Sequence, residues 1–396
     1  MFHWVLPLFF VVLPPTSQGS PSTYGKASPE TQQRASRGGS SPRCEAATCA
    51  RRLAAKLASL APDQALRVDP ALEQAALRHG VALLRRRAHG TLAHIQADLF
   101  DEGLADAQFL PYAAIGAPLD GLADALFDFG RARVVRRGYT HVGIAVIDQG
   151  LRSAVVGLFV RRLVELPPLP KRPHRPTHDI QGLVLRGKEI EAYVQHPTGW
   201  VEALPVRRAG ERFTFTVPTD AQGLHRVEVL VHTERGPEVA ALWRFDTERV
   251  TTKPSRKPHK VAHGRSSVGL ATTSDLFFAI QSLRRDRDIG PLGRVAALDQ
   301  AAGDFARAVC AQRIAAHILP GQGDPTRRTR KVGYQRAVTE NVAIAGNLSA
   351  AHENLLESPS HLRNLIDPAA REIGLGVAQD NTLTPSIVCV VELFGL

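Results

Sequence analysis

Residues 372–395 read EIGLGVAQDNTLTPSIVCVVELFG, two apolar runs separated by a polar turn. Both runs are short and rich in Val, Ile and Leu, which is typical of β-strands. Helical periodicity precedes them in SDLFFAIQSLRRDR (274–287) and LDQAAGDFARAVCAQRIAAH (298–317). We therefore predict that residues 268–396 form an α+β domain with its helices first and its strands last.

The plan of this domain recurs in residues 44–164, which open with helical periodicity and close on two Val- and Ile-rich runs around Gly150. Self-similarity at this scale is typical of duplication. We therefore predict a tandem duplication on either side of a different middle region. Three stretches correspond directly: LEQAA (72–76) with LDQAA (298–302), GIAVIDQ (143–149) with GLGVAQD (374–380), and VVGLFV (155–160) with VVELFG (390–395).

The middle region, residues 178–248, alternates apolar and polar residues in short runs separated by PTG, AGE, DAQG and RGP. Short strands at this spacing predict an all-β sandwich of immunoglobulin-like type. No pattern in this region indicates chemistry. We assign its aromatic side chains to the core: Tyr193, Trp200, Phe213, Phe215 and Trp243.

The segments outside these regions read as targeting and linking sequences. Residues 1–19 contain a short apolar run that resembles a secretory signal peptide, and residues 20–43 have the composition of a disordered leader. Residues 165–177 and 249–267 are rich in proline and basic residues, which is typical of semi-rigid linkers. Because no second long apolar run follows, we expect no transmembrane segment and a secreted or periplasmic location.

The chain of 396 residues has a formal net charge of +11. Its basic residues are scattered, and the densest clusters, KRPHRPTH (171–178) and KPSRKPHK (253–260), lack interleaved aromatic residues. We therefore expect no nucleic-acid partner. Attraction to an anionic envelope surface and a solvated surface with no specific partner both remain open.

The four cysteines are Cys44, Cys49, Cys310 and Cys389. In an exported chain they allow two disulfides, and a bond from Cys310 to Cys389 would tie a helix to the last strand. The alternative is that Cys310 and Cys389 are small buried apolar side chains without a bond.

Three residues of the last region could handle a metal or a proton: His317, Glu340 and His361. Imidazole nitrogens and a carboxylate suit a divalent ion, and equally a base with its orienting partner. His361 falls on the third position of a helix that Ser358 and a proline begin, where the helix dipole opposes protonation. Each residue also has a purely structural explanation: His317 as a helix cap, Glu340 in an ion pair with an arginine, and His361 as packing.

The motifs around these residues resemble the CAP superfamily. They occur in the family's order: DLFFAIQSLRRDRDIGPL, ALDQAA, IAAH with RTRKVGY, TENVA, SPSHLRNLID, IGLGVA and ELFG. The resemblance covers about 268–396 and implies an α-β-α sandwich with a cleft. Residues 44–164 resemble the family only as a degenerate CAP-like copy, without an EN pair or an SPGH-type motif.

The resemblance implies that His317, Glu340 and His361 line the cleft and can bind a divalent ion such as zinc, with Asn341 supporting them. The family's usual tryptophan is replaced by Leu355. The arginine that usually follows the second histidine is replaced by Leu362. A fourth acidic ligand has no clear place, and only Glu353 and Glu357 are near.

Two functions follow from these expectations. The first is an exported binding module at the cell envelope or outside the cell, whose ligand is a lipid, a glycan or a peptide. The alternative is a metal-dependent hydrolase, a peptidase or cell-wall enzyme, in which His317 and His361 hold the metal and Glu340 is the catalytic base. The absence of an HExxH motif and of a nucleophile elbow favours binding, and a purely structural spacer is a third possibility. The oligomeric state is open.

Overall fold

The computed structural model describes residues 46–59, 66–85, 92–116, 119–149, 152–169, 176–247, 269–382 and 386–396. The predicted signal peptide, the leader and the linker at 249–267 lie outside these residues. None of the described helices is long and apolar enough to cross a membrane.

The first part of the chain has one four-stranded sheet in the order β1-β3-β4-β2, in which β1 runs parallel to β3 and the other pairs are antiparallel. Apolar side chains of α1 and α4 pack on one face of the sheet, and those of α2 and α3 pack on the other. The elements are α1 (Ala46–Ala58), β1 (Arg67–Val68), α2 (Pro70–Leu84), α3 (Leu92–Asp101), β2 (Phe109–Gly116), α4 (Leu119–Arg137), β3 (His141–Asp148) and β4 (Ser153–Val160).

The middle part is all-β, as its alternation predicts. Two four-stranded antiparallel sheets, β5-β6-β10-β9 and β12-β11-β7-β8, share one apolar core. Trp200 does not belong to that core, because 59% of it is exposed, so its assignment from the sequence is wrong. The strands are β5 (Val164–Glu165), β6 (Thr177–Val184), β7 (Ile190–Gln195), β8 (Val201–Leu204), β9 (Arg207–Ala209), β10 (Arg212–Pro218), β11 (Leu224–Thr233) and β12 (Gly236–Asp246).

The last part has a four-stranded sheet in the order β13-β15-β16-β14, again with a parallel first strand. Side chains of α6 cover one face, while α5, α8 and α9 cover the other. The sheet is thus sandwiched between helices. The elements are α5 (Thr273–Arg285), β13 (Gly293–Arg294), α6 (Ala296–Gln312), α7 (Pro325–Lys331), β14 (Val338–Ala345), α8 (Leu348–Glu357), α9 (Pro359–Leu365), β15 (Glu372–Asp380) and β16 (Ile387–Gly395).

The first and last sheets also share their strand register. Gly143 pairs with Leu158 in the first sheet, and Gly374 pairs with Leu393 in the last. A Cβ at either glycine would lie 2.2 Å from a backbone carbonyl carbon of the helix packed on it. Glycine is therefore needed at both positions because helix and strand approach too closely for a side chain.

A disulfide joins Cys310 of α6 to Cys389 of β16, with 5.6 Å between the two Cα atoms. This confirms the predicted helix-to-strand tie, and the alternative of two unbonded buried thiols is wrong. Cys49 is also disulfide-bonded.

The three parts are in close contact. Strand β5 belongs to the sheet of the middle part, and Leu169, within the predicted linker, is buried in its core. A buried ion pair joins Arg161, just after β4, to Glu238 of β12. The β-rich middle part is therefore packed directly against the first.

Candidate functional site

A cavity of about 600 Å³ lies where the three parts of the chain meet. The last part contributes the predicted residues His317, Glu340 and His361, and the middle part contributes the β11–β12 hairpin. The first part contributes fewer residues, among them Gln108. Most of the wall is apolar and includes Leu230, Val239, Leu242, Ile318, Val342 and Leu355.

His317 lies in the loop that follows α6, and the middle part holds this loop in place. The backbone N–H groups of His317 and Ile318 donate to the carbonyl oxygen of Arg235, at 3.1 and 2.9 Å. The Nδ1 atom of His317 lies 2.9 Å from a carboxylate oxygen of Glu340. An ionised Glu340 accepts a hydrogen bond from Nδ1–H, which in a neutral ring leaves Nε2 of His317 as the unprotonated nitrogen.

Glu340, the third residue of β14, is held by two partners. One oxygen contacts His317 and the other forms a buried ion pair with Arg328 of α7. Arg328 also donates to the carbonyl oxygen of His317 at 3.0 Å, and its guanidinium lies 3.4 Å from the ring centroid of Phe305. Each oxygen of Glu340 therefore has a partner, and the ion pair with an arginine, the structural explanation considered for Glu340, is present.

His361 is the third residue of α9, as predicted, with Ser358 at the N-cap and a proline at the first position. The Ser358 hydroxyl does not cap the helix and instead lies 2.6 Å from Nδ1 of His361. Burial, assisted by the nearby His317, lowers the pKa of His361 to about 3. The ring is therefore neutral at physiological pH.

Asn341 supports the site from behind. Its side-chain amide donates to the carbonyl oxygen of His361 at 3.1 Å and to the carboxylate of Glu392 at 2.9 Å, and its oxygen accepts from Asn364 at 2.8 Å. Burial raises the pKa of Glu392 to about 7. These contacts tie β14, α9 and β16 together beneath the two histidines.

The donor set only partly matches the predicted metal site. The described residues contain no group of three or more His, Cys, Asp or Glu side chains arranged to hold a metal ion. The two histidines line the same cavity, and among the described residues neither Nε2 has a hydrogen-bond partner. Glu340 already contacts His317 with one oxygen and Arg328 with the other, so an ion would have to share these oxygens with both partners.

The acidic residues Glu353 and Glu357 do not line the cavity. Glu357 is buried against the middle part, where its carboxylate lies 3.5 Å from Arg226 of β11. Burial raises the pKa of Glu357 to about 7. A fourth acidic ligand at either position is therefore not supported by the geometry.

The middle part contributes to the cavity wall a polar group that no sequence motif indicated. Glu191 of β7 accepts hydrogen bonds from Tyr193 and from His232 of β11. Burial alone would raise the pKa of Glu191, but these bonds outweigh burial and lower that pKa. Arg363 of α9 lies beside Tyr193, 3.4 Å from its hydroxyl. The alternation in IEAYVQ puts Glu191 and Tyr193 on one strand face, a signal that could have indicated their proximity.

Residues 277–393 match the family model for the cysteine-rich secretory protein family, CAP. No curated protein matches the chain. Among solved structures, an outer surface protein from Borrelia burgdorferi is 26% identical over 31% of this chain and 90% of its own, with a TM-score of 0.28.

Two further solved structures span more of this chain. An extracellular protein with an SCP domain from Bacillus anthracis is 13% identical over 55% of this chain and 81% of its own, with a TM-score of 0.28. A cysteine-rich secretory protein from Staphylococcus aureus is 11% identical over 55% of this chain and 75% of its own, with a TM-score of 0.24.

Proposed function

We propose, from the premise that residues 277–393 form a CAP domain, that the chain is an exported binding protein that takes a small, largely apolar ligand. The observation that carries this proposal is the cavity of about 600 Å³ beside His317 and His361. Its apolar wall with a few converging polar groups is the usual character of a small-molecule site. The ligand would contact all three parts of the chain.

Filling the cavity tests this function. Val239 lines the cavity and is partly buried, so Val239→Phe would remove room for a ligand. Titration with Nile red, a neutral apolar fluorophore, should show binding by the wild type and at least about tenfold weaker binding by this variant. Val206→Phe is the matched control, because Val206 is a partly buried valine of the middle core that does not line the cavity. Equal dye affinity in all three proteins would contradict the proposal.

Zinc binding is a further proposal for the same cavity. The Nε2 atoms of His317 and His361, which have no hydrogen-bond partner among the described residues, are its best donors, since their Nδ1 atoms are anchored by Glu340 and Ser358. Hydrogen-bonded imidazoles of this kind are common metal ligands. Calorimetry should detect zinc affinity in the wild type that a His317→Ala, His361→Ala double variant loses, and equal affinities would rule out these ligands.

The hydrolase alternative has less support. A general base must reach the proton that it abstracts, and Glu340 is buried with one oxygen on Arg328 and the other on His317. The alternative would regain support if a peptide or cell-wall polymer were turned over by the wild type but not by Glu340→Gln.

We also propose that residues 44–164 are a degenerate CAP-like copy. The matching sheet order, strand register and glycine contacts support a common origin with the last part. By register, Pro111 stands opposite Leu158 where Glu340 stands opposite Leu393, and Tyr112 stands where Asn341 does. The copy would therefore lack the cleft chemistry and serve as a structural wall of the cavity.

The proposal also includes the fold class of the middle part and the location of the protein. Two antiparallel sheets on one core support an immunoglobulin-like sandwich. Export to the periplasm or the medium, and attraction of the +11 chain to an anionic envelope, remain part of the proposal.

A further inference from the structure

Glu228 of β11 is a fully buried carboxylate at the contact between the middle and last parts. It accepts hydrogen bonds from the Ser358 hydroxyl at 2.9 and 3.0 Å. It also accepts from the Ser360 hydroxyl at 2.8 Å and from the Ser360 backbone N–H at 3.0 Å. All of these donors come from the N-terminal end of α9.

No cation offsets this carboxylate: within the described ranges, no ion pair involves Glu228. Burying a carboxylate is unfavourable unless hydrogen bonds replace its hydration. Burial raises the pKa of Glu228 to about 7, while the bonds from Ser360 and Ser358 oppose that rise. The two serines are therefore what accommodates its charge in the interface.

The Ser358 hydroxyl has a single proton and two neighbours that could receive it, Glu228 and Nδ1 of His361. An ionised carboxylate cannot donate, so the Ser358–Glu228 contact requires the serine to donate to it. The serine oxygen can then only accept, and the group facing it, Nδ1 of His361, must carry a proton. Reversing this order would set two oxygen lone pairs against each other at about 3 Å.

We propose that Glu228 is a positioning residue that acts through Ser358 to hold His361 in the Nδ1–H tautomer, with Nε2 as a hydrogen-bond acceptor at the cavity. A residue of the middle part thereby determines which atom of the histidine meets a ligand. The proposal rests on the proposed function for its significance, but its test needs no ligand.

The test is the tautomer of His361 in the full chain labelled with ¹⁵N-histidine. Long-range ¹H–¹⁵N correlation spectra at about pH 8.5, where Glu228 is ionised, distinguish a protonated ring nitrogen from an unprotonated one. The His361 signals are assigned by their loss in His361→Gln. The wild type should show a protonated Nδ1 and an unprotonated Nε2, and a proton on Nε2 would overturn the proposal.

Two variants test the hydrogen-bond relay from Glu228 through Ser358 to His361. Ser358→Ala removes the acceptor for Nδ1–H, and Glu228→Gln offers Ser358 an amide donor, so both should move part of the His361 proton to Nε2. Ser358→Thr keeps the hydroxyl and should restore the wild-type spectrum. Glu202→Gln, which removes an exposed carboxylate from neighbouring β8, is the charge-matched control and should leave His361 unchanged. Unchanged tautomers in both Ser358→Ala and Glu228→Gln would overturn the relay even if the cavity binds Nile red.

Discussion

At the scale of single residues, Arg328 determines the surroundings of Glu340 in the predicted site. It is 6% exposed, pairs with Glu340 and covers the ring of Phe305. The sequence indicated RTRKVGY as a family motif but not which arginine is buried, because its partners lie on β14 and α6. Glu340 is therefore better described as the centre of an Arg–Glu–His network than as a free carboxylate.

Removing Arg328 should be costly. In Arg328→Met, Glu340 stays buried without its cation, and breaking a buried pair in this way typically costs about 3–5 kcal/mol. Native-state hydrogen exchange of peptides from β14 should show a loss of opening free energy of that order. Arg330→Met, on the same helix but exposed, should leave the exchange of β14 nearly unchanged.

His352 of α8 gives a second residue-scale prediction. It is fully buried, its Nδ1 has no hydrogen-bond partner in the part of the chain that the structure describes, and burial lowers its pKa to about 4. Since the unfolded value is 6.5, the folded state binds fewer protons between these values. The stabilisation is complete above pH 6.5 and is lost as the pH falls towards 4.

The measurement is the Tm of wild type and His352→Leu between about pH 7 and pH 4. The Tm of the wild type should decrease more than the Tm of the variant as the pH falls. Glu228 and Glu357, whose raised pKa values act in the opposite sense, are present in both proteins, so the difference isolates His352. A His178→Leu control on β6 should follow the wild type, and parallel curves for wild type and His352→Leu would contradict the prediction.

At the scale of elements, the sequence predicted most of what the structure contains. The alternation and the Val- and Ile-rich runs indicated β3, β4, β15 and β16, and the Ser-Pro pair in SPSH indicated the start of α9, although the Ser358 hydroxyl makes no cap hydrogen bond. These features depend on local patterns of side chains. The contacts of Ser358 could not be predicted in the same way, since its partner Glu228 lies 130 residues away in the chain.

The glycines at which a helix packs on a strand, Gly143 of β3 and Gly374 of β15, allow an element-scale prediction. A Cβ at Gly374 would meet backbone atoms of Leu298 and Asp299 at 2.2 and 2.5 Å, so Gly374→Ala must push α6 away from β15. We expect a loss of stability larger than the roughly 1 kcal/mol that is typical of a point mutation. In α6 itself, a Cβ at Gly303 would contact only the guanidinium end of Arg307, at 3.7 Å, so Gly303→Ala should raise stability by up to about 1 kcal/mol. Thermal unfolding should therefore shift in opposite directions in the two variants.

At the scale of the whole molecule, the cavity could not be predicted from any one region. No sequence pattern in 178–248 indicates chemistry, yet this part supplies Glu191 and His232 to the cavity wall and Glu228 to the contact with Ser358. Strand alternation could place Glu191 beside Tyr193, but no local pattern assigns any of these residues to a site, because their role arises only when the middle and last parts meet. Sequence motifs therefore indicated half of the site, the half within the CAP domain.

The interface between the middle and last parts resembles a domain interior. Tyr193, Val201 and Leu230 belong to the same buried apolar cluster as the side chains of α5, α8 and α9. An apolar interface of this kind favours common unfolding over independent domain motion. Opening of α9 should therefore depend on residues of β11.

Leu230→Ala tests this coupling. Leu230 is 7% exposed and packs in the shared cluster, so the truncation should cost about 2–5 kcal/mol. Hydrogen exchange should quicken in β11 and also in α9, although α9 is unchanged in sequence. Leu204→Ala is the matched control, because Leu204 is equally buried but packs only in the middle core. If both variants quicken exchange in the middle sheets alone, the last part is stable by itself. The middle part then forms a wall of the cavity without contributing to the stability of the last part. Loss of protection in α9 with Leu230→Ala only would instead mean that the cavity persists only while the two parts stay packed.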